Sequence, residues 1–207
     1  MCLRLPKVGR KTWWTAGLLT AVLALAPSYV RAYKLAGSSD APTLLLGDRV
    51  WVNLASYDVR LPYADVVLFS PATPRPGDLV LVQWPEDAQP MFKRVVATGG
   101  DRIAMADHHL VLNGQRLTYA AHDGRAFAAA PPENLLGSDF EVETIGGVDH
   151  LISFTPGTRD SFVEVRVPEG QCYVLGDNRD PSRDSRDRGP VTCACIRGRV
   201  VSAPHRR

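Results

Sequence analysis

The chain has 207 residues, 45% of them hydrophobic and 22% charged, which gives room for one sizeable core or one core with a smaller satellite. Its net charge of +2 supplies no electrostatic footprint for a nucleic-acid partner. The charge is unevenly spread: Arg4, Lys7, Arg10 and Lys11 stand without an acid in the first eleven residues, and the remainder carries −2.

That basic tail, 1–11, reads as cytoplasmic, and the segment 12–31 as a transmembrane anchor. Trp13 to Val30 is eighteen residues without a formal charge, closed by Arg31 and Lys34, and is near the lower limit for spanning a bilayer. Trp13, Trp14 and Tyr29 stand near its ends, where amphipathic rings favour the interface, and the positive-inside rule puts the C-terminal body outside. A cleaved secretory signal, with Val30-Arg31-Ala32 as the cleavage site, is the competing reading and exports the body equally.

The body reads as short strands. They are expected at 44–55, 65–69, 78–84, 92–98 and in a hairpin over 108–119 around Asn113-Gly114, then in FEVETI, HLISF, SFVEVRV, QCYVLGD and CIRGRVV. Residues 120–160 are rich in Ala, Gly and Pro and look like an excursion from a main sheet. Of the exported cysteines, Cys193 and Cys195 are too close for an easy bridge, so Cys172 with one of them is the expected pair. The Cys-x-Cys spacing and five scattered histidines argue against a metal, and nothing indicates a cofactor.

Four stretches carry chemistry together: Gly37-Ser38-Ser39-Asp40-Ala41-Pro42-Thr43-Leu44; Arg75-Pro76-Gly77-Asp78; Lys93-Arg94-Val95-Val96 with Gly99-Gly100-Asp101; and Gly176 to Arg186, GDNRDPSRDSR. A serine hydroxyl needs a base, and no histidine here sits in such a motif. A lysine serves if burial disfavours its ammonium form, and Lys93 opens a hydrophobic strand after Met91 and Phe92. Each stretch alone is as well explained by a turn, a snorkelling lysine or a self-paired charged loop.

Their order and content resemble the bacterial type I signal peptidases, from the anchor to about Val200. The resemblance implies a mainly β fold: an antiparallel catalytic domain (32–103 and 168–207), an inserted smaller β subdomain (104–167) and one N-terminal transmembrane helix. It implies Ser39 as nucleophile, Lys93 as general base, and Ser182 as the hydroxyl that orients the lysine amine. Asp184 and Arg186 match a charged pair that stiffens the site, and Asp177 and Arg179 match structural positions of the same loop. Gly37, Ser38 and Asp40 fall on the oxyanion and substrate side. Gly37 is a position where some members supply a hydroxyl, so the oxyanion hole here rests on backbone N–H groups, chiefly that of Ser39. The implied substrates are signal-peptide-bearing precursors cut after a small residue at the bilayer, with no metal and no nucleic acid.

The sequence departs from the pattern most sharply beside the nucleophile, and also at Ala97-Thr98 after the lysine stretch and at Asp187-Arg188, where an aromatic residue often follows. The family normally has methionine after the nucleophile, and this chain has Asp40. Facing inward, an ionised Asp40 holds Lys93 protonated and quenches the base; facing outward, it is harmless or alters substrate choice. Asp40 also favours two competing readings: a specialised processing peptidase for a pilin or other dedicated partner, and a non-catalytic membrane-tethered relative. A soluble self-cleaving repressor lacks both the anchor and the GDNRD loop.

Overall fold

The computed structural model describes residues 29–62, 64, 66–124, 135–158, 160–180 and 182–202. In chain order its elements are β1 (Val30–Lys34), β2 (Arg49–Asn53), β3 (Val59–Arg60), β4 (Val67–Phe69), β5 (Leu79–Val82), β6 (Met91–Thr98), β7 (Arg102–Ala106) and β8 (His109–Leu112). They continue with β9 (Gln115–Arg116), β10 (Thr118–His122), β11 (Asp139–Ile145), β12 (Val148–Phe154), β13 (Phe162–Arg166) and β14 (Gln171–Leu175). A one-turn helix α1 (Ser185–Arg188), β15 (Val191–Thr192), a 3-10 turn at Cys193–Cys195 and β16 (Ile196–Ser202) complete the chain.

A seven-stranded sheet runs in the order β1-β2-β16-β5-β6-β14-β15, and its strand pairs are antiparallel. Its centre is β5 and β6, whose residues 80–82 and 92–97 are buried throughout. Strands covered on both faces read as continuous apolar runs rather than alternating ones, which is why LVLV and the VVA of β6 show no period of two. Two further antiparallel sheets, β13-β7-β8-β9 and β10-β11-β12, are built from the chain between β6 and β14, the stretch expected as an insertion. Val96, Ala97, Tyr173 and Leu175 of the main sheet share one core with Ile103, Met105, Leu110 and Ile145.

The structure redraws several expected boundaries. The anchor expected over 12–31 lies outside the described residues except at its end, and there Val30 and Arg31 belong to β1, paired with Asn53 and Val52. Among the described residues no helix is long and apolar enough to cross a membrane. The strand expected over 44–55 forms only over 49–53, because Leu44 to Asp48 turns: Leu45 N–H donates to the Asp48 carboxylate at 2.7 Å, and Gly47 has φ 89°. The Asn113-Gly114 hairpin forms as read, both residues at positive φ.

Cys172 of β14 is bonded to Cys193, leaving Cys195 as the free thiol among the described residues. The bridge closes a loop of 21 residues that contains the whole GDNRDPSRDSR stretch. Replacing both cysteines by alanine is expected to lower stability by about 3 kcal/mol, the chain-entropy value for a loop of this size, read as an earlier denaturant midpoint with a steeper slope, because the uncrosslinked denatured chain exposes more surface.

Candidate active site

The serine motif leaves β1 and is pinned at several points. Leu35 N–H donates to Asp48 O and Gly47 N–H to Leu35 O, which clasps the turn after it. Within the motif, Ala41 N–H donates to Ser38 O, Leu44 N–H donates to Asp40 O, and the Ala41–Pro42 bond is cis. Tertiary bonds then hold the backbone from outside: Asn178 N–H donates to Ser39 O at 3.1 Å, Asn178 Nδ2 to Ser38 O at 3.4 Å, and Ser153 Oγ to Ala41 O at 3.2 Å. Ser39 is thereby fixed at the wall of a cleft of about 740 Å³ that Leu35, Gly37, Met91 and Phe92 also line.

Lys93 reaches that serine from the middle of β6, where it pairs with Val80 of β5. Its side chain has no exposure, and its Nζ donates to Ser39 Oγ at 2.6 Å. Asp40 points inward, 3% exposed, and accepts the Ser39 hydroxyl on Oδ2 at 2.8 Å. Lys93 Nζ and Asp40 Oδ2 are 3.9 Å apart, with the serine oxygen bridging them, and Asp40 Oδ1 is buried without a hydrogen-bond partner. Burial pushes the Asp40 carboxyl up, the Lys93 ammonium pulls it back, and neighbouring Asp177 adds to the rise, leaving it at about 6. The inward alternative left open by the sequence is the one realised.

The loop after β14 carries the remaining expected residues, at different distances from the chemistry. Asp177, 1% exposed, receives Arg94 as a fork: Nε to Oδ1 at 2.8 Å and Nη2 to Oδ2 at 2.7 Å. Burial alone would raise the Asp177 carboxyl, but the guanidinium holds it below the usual carboxylate range. Arg179 turns away from Ser39, donating to Glu143 Oε1 at 2.6 Å and to His108 O at 2.9 Å, and ties the loop to β11 and the start of β8. His150 Nε2 lies 3.1 Å from Glu143 Oε1 and 3.8 Å from Asp177 Oδ1, which joins the two pairs. Asp184 caps α1, accepts from Gly176 N–H at 3.0 Å, and is gripped by Arg186 through Nε at 2.9 Å and Nη2 at 2.8 Å. Arg186 also reaches Asp160 at 2.5 Å and the Arg179 carbonyl.

Ser182 does not make its expected bond. Its Oγ is buried without a hydrogen-bond partner, so the expected bond to the Lys93 amine is not made. Lys93 donates instead to Ser39, on the side where Asp40 stands 3.9 Å away. Ser182 still borders the site: a Cβ at Gly176 would meet Ser182 Oγ at 2.2 Å and Ser39 O at 2.2 Å. Gly37 has open space where a side chain would stand, on the cleft side.

Four contributors escaped the sequence reading. Arg94 and Asn178 lie inside the recognised stretches, and a charge set in an apolar strand was the available signal for Arg94. Glu143 and His150 lie in unremarkable strand sequence, and only burial reveals them, at 0% and 8% exposed.

The model of the family described as signal peptidase, peptidase S26, matches residues 10–203, and the chain belongs to that family. Signal peptidase I of Pseudomonas fluorescens is 31% identical over 173 residues, 82% of this chain and 59% of that protein. Signal peptidase I of Aquifex aeolicus is 28% identical over 88% of this chain and 78% of its own length. The probable thylakoidal processing peptidase 2 of Arabidopsis thaliana is 31% identical over 88% of this chain and 40% of that one. The chain thus spans about three fifths of the Pseudomonas fluorescens relative. A solved signal peptidase I from Enterococcus faecalis aligns with a TM-score of 0.38 at 27% identity, over 63% of this chain and 98% of that one, too loosely to place any residue.

Two outcomes follow from this geometry. Gly176→Ala is expected to leave the fold intact by circular dichroism but to displace Ser39 from Lys93, reducing turnover by about a hundredfold, as misplacements near 1 Å do. Asp177→Asn leaves Arg94 buried and unpaired, at a cost of about 3–5 kcal/mol at neutral pH. Because the native Asp177 carboxyl lies below its unfolded value near 4, its stabilisation is full above that pH and is lost as pH falls through the native value. Urea unfolding of wild type and variant should therefore begin to converge below about pH 4 and coincide only once the pH has fallen below the native value.

Proposed function

We propose that this protein is a membrane-bound serine endopeptidase that removes signal peptides from exported precursor proteins through an acyl-enzyme on Ser39, with Lys93 as general base. The observation that carries this reading is the 2.6 Å contact between Ser39 Oγ and an amine with no solvent exposure. Family membership supports it, as do the names of the relatives.

In the proposed reaction, neutral Lys93 takes the Ser39 proton as Oγ attacks the carbonyl after a small residue. The Ser39 backbone N–H stabilises the tetrahedral oxyanion, a donor typically worth about 3 kcal/mol. Lys93 then protonates the leaving amine and later activates the hydrolytic water. The substrate lies extended in the cleft beside the segment that continues β1, whose apolar lining of Leu35, Met91 and Phe92 suits short apolar side chains. Ser182 borders the array through Gly176, and Asp177, Arg179, Asp184 and Arg186 hold its loop. The bilayer is the second partner: the apolar segment that precedes β1 anchors the chain, with the tail cytoplasmic and the β body on the extracytoplasmic side. Exposed Leu61, Val66, Val67, Leu68 and Phe69 around the β3–β4 hairpin support contact with lipid.

The test is cleavage of a generic Ala-x-Ala precursor in detergent micelles at alkaline pH. The intact chain should cut it, and Ser39→Ala and Lys93→Ala should each lose at least roughly a thousandfold in rate. Undiminished cleavage by either variant would sink the proposal.

A further inference from the structure

Resting on the peptidase reading above, we propose that Asp40 is a third member of the catalytic array, which orients the Ser39 hydroxyl and sets the pH at which Lys93 acts as a base. A serine hydroxyl has one hydrogen. Here two groups stand within hydrogen-bond distance of Oγ, Lys93 Nζ at 2.6 Å and Asp40 Oδ2 at 2.8 Å. The hydrogen therefore points either to the base or to the acid, and Asp40 decides which.

The row supports two arrangements with the same number of protons. In the ion-pair form Lys93 donates to Ser39 and Ser39 donates to the Asp40 carboxylate. The nucleophile's proton then faces away from the base, and the amine has no lone pair to accept it. In the neutral form the proton lies on Asp40 Oδ2, Asp40 donates to Ser39, and Ser39 donates to the Lys93 lone pair, the polarity that acyl transfer needs. The first becomes the second when one N–H bond breaks at Lys93 while an O–H bond forms at Ser39, and the original Ser39 O–H breaks as one forms at Asp40. No proton is exchanged with water.

The surroundings show what weights the two. Lys93 and Arg94 face Asp40 from β6 and favour its carboxylate; Asp177 faces it from the loop after β14 and opposes the charge. His150 of β12 stands one group further away, 3.8 Å from Asp177. A carboxylate with one buried oxygen unpartnered is poorly solvated, consistent with a carboxyl raised to about 6. The ion-pair form is quenched, so the field of the Asp40 anion works against the base. An amide at position 40 has no such field, and its NH₂ can donate to Ser39 and hold the productive polarity.

The decisive measurement is the rate of Ser39 labelling by a fluorophosphonate probe against pH, with the full-length chain in detergent micelles. Asp40→Asn and Asp40→Met are compared with wild type, and Ser39→Ala serves as the blank. The expected result is that both variants label with an acid midpoint lower than wild type by at least about one unit, and so roughly tenfold faster at pH 7. The same midpoint, or a higher one, in the variants would overturn the role of Asp40 while leaving the peptidase reading intact. Labelling of Ser39→Ala as fast as wild type, or no labelling of any form at alkaline pH, would overturn the peptidase reading and this one with it. A purely structural Asp40 would change the amount of folded enzyme but not the midpoint.

Discussion

The Arg94–Asp177 ion pair is the contact on which the site depends. Arg94 follows Lys93 on β6, and Asp177 begins the loop after β14, so the pair fastens that loop to the strand carrying the proposed base. With Asp177 fixed, Asn178 falls against the Ser38 and Ser39 carbonyls, and the serine cannot drift from the lysine. A buried guanidinium without its carboxylate would be prohibitively costly, so the pair specifies this arrangement even where it adds little net stability. Asp78 makes a comparable local tie, accepting the Tyr57 hydroxyl at 2.8 Å beside the strand that pairs with β6.

Around this pair the interior holds an unusual density of charge. Lys93, Asp40, Glu143, Arg179 and Asp184 are all under one-tenth exposed. Two kinds of arrangement occur among them. Asp177, Glu143 and Asp184 face arginines directly and have their carboxyls held low. Asp40 faces Lys93 only across a hydroxyl and has its carboxyl raised. The first kind suits a scaffold, whose charges should not change over the working pH range. The second suits a site where a proton is meant to move.

The chain between β6 and β14 contributes to the site indirectly. Glu143 on β11 holds Arg179, His150 on β12 packs beside Glu143 and 3.8 Å from Asp177, and Ser153 at the end of β12 binds both the serine segment and the loop. The satellite sheets are therefore part of the mechanical support of Ser39 and not an appended module.

The sequence by itself determined the strands that are buried on both faces or bounded by Gly-Asp turns, the Asn113-Gly114 hairpin, and the four stretches that hold Ser39, Lys93 and the loop. Those features are local: turn chemistry, β-branched runs and motif spacing are written in adjacent residues. It determined that position 40 is anomalous, but not which way Asp40 faces. Only the tertiary structure decided that, because orientation depends on the distant Lys93, Asp177 and Asn178 closing around the motif. It also decided that Lys93 bonds Ser39 and not Ser182, and that Glu143 and His150 belong to the support. Burial and pairing across a hundred residues of chain arise from strand order, which no local pattern encodes.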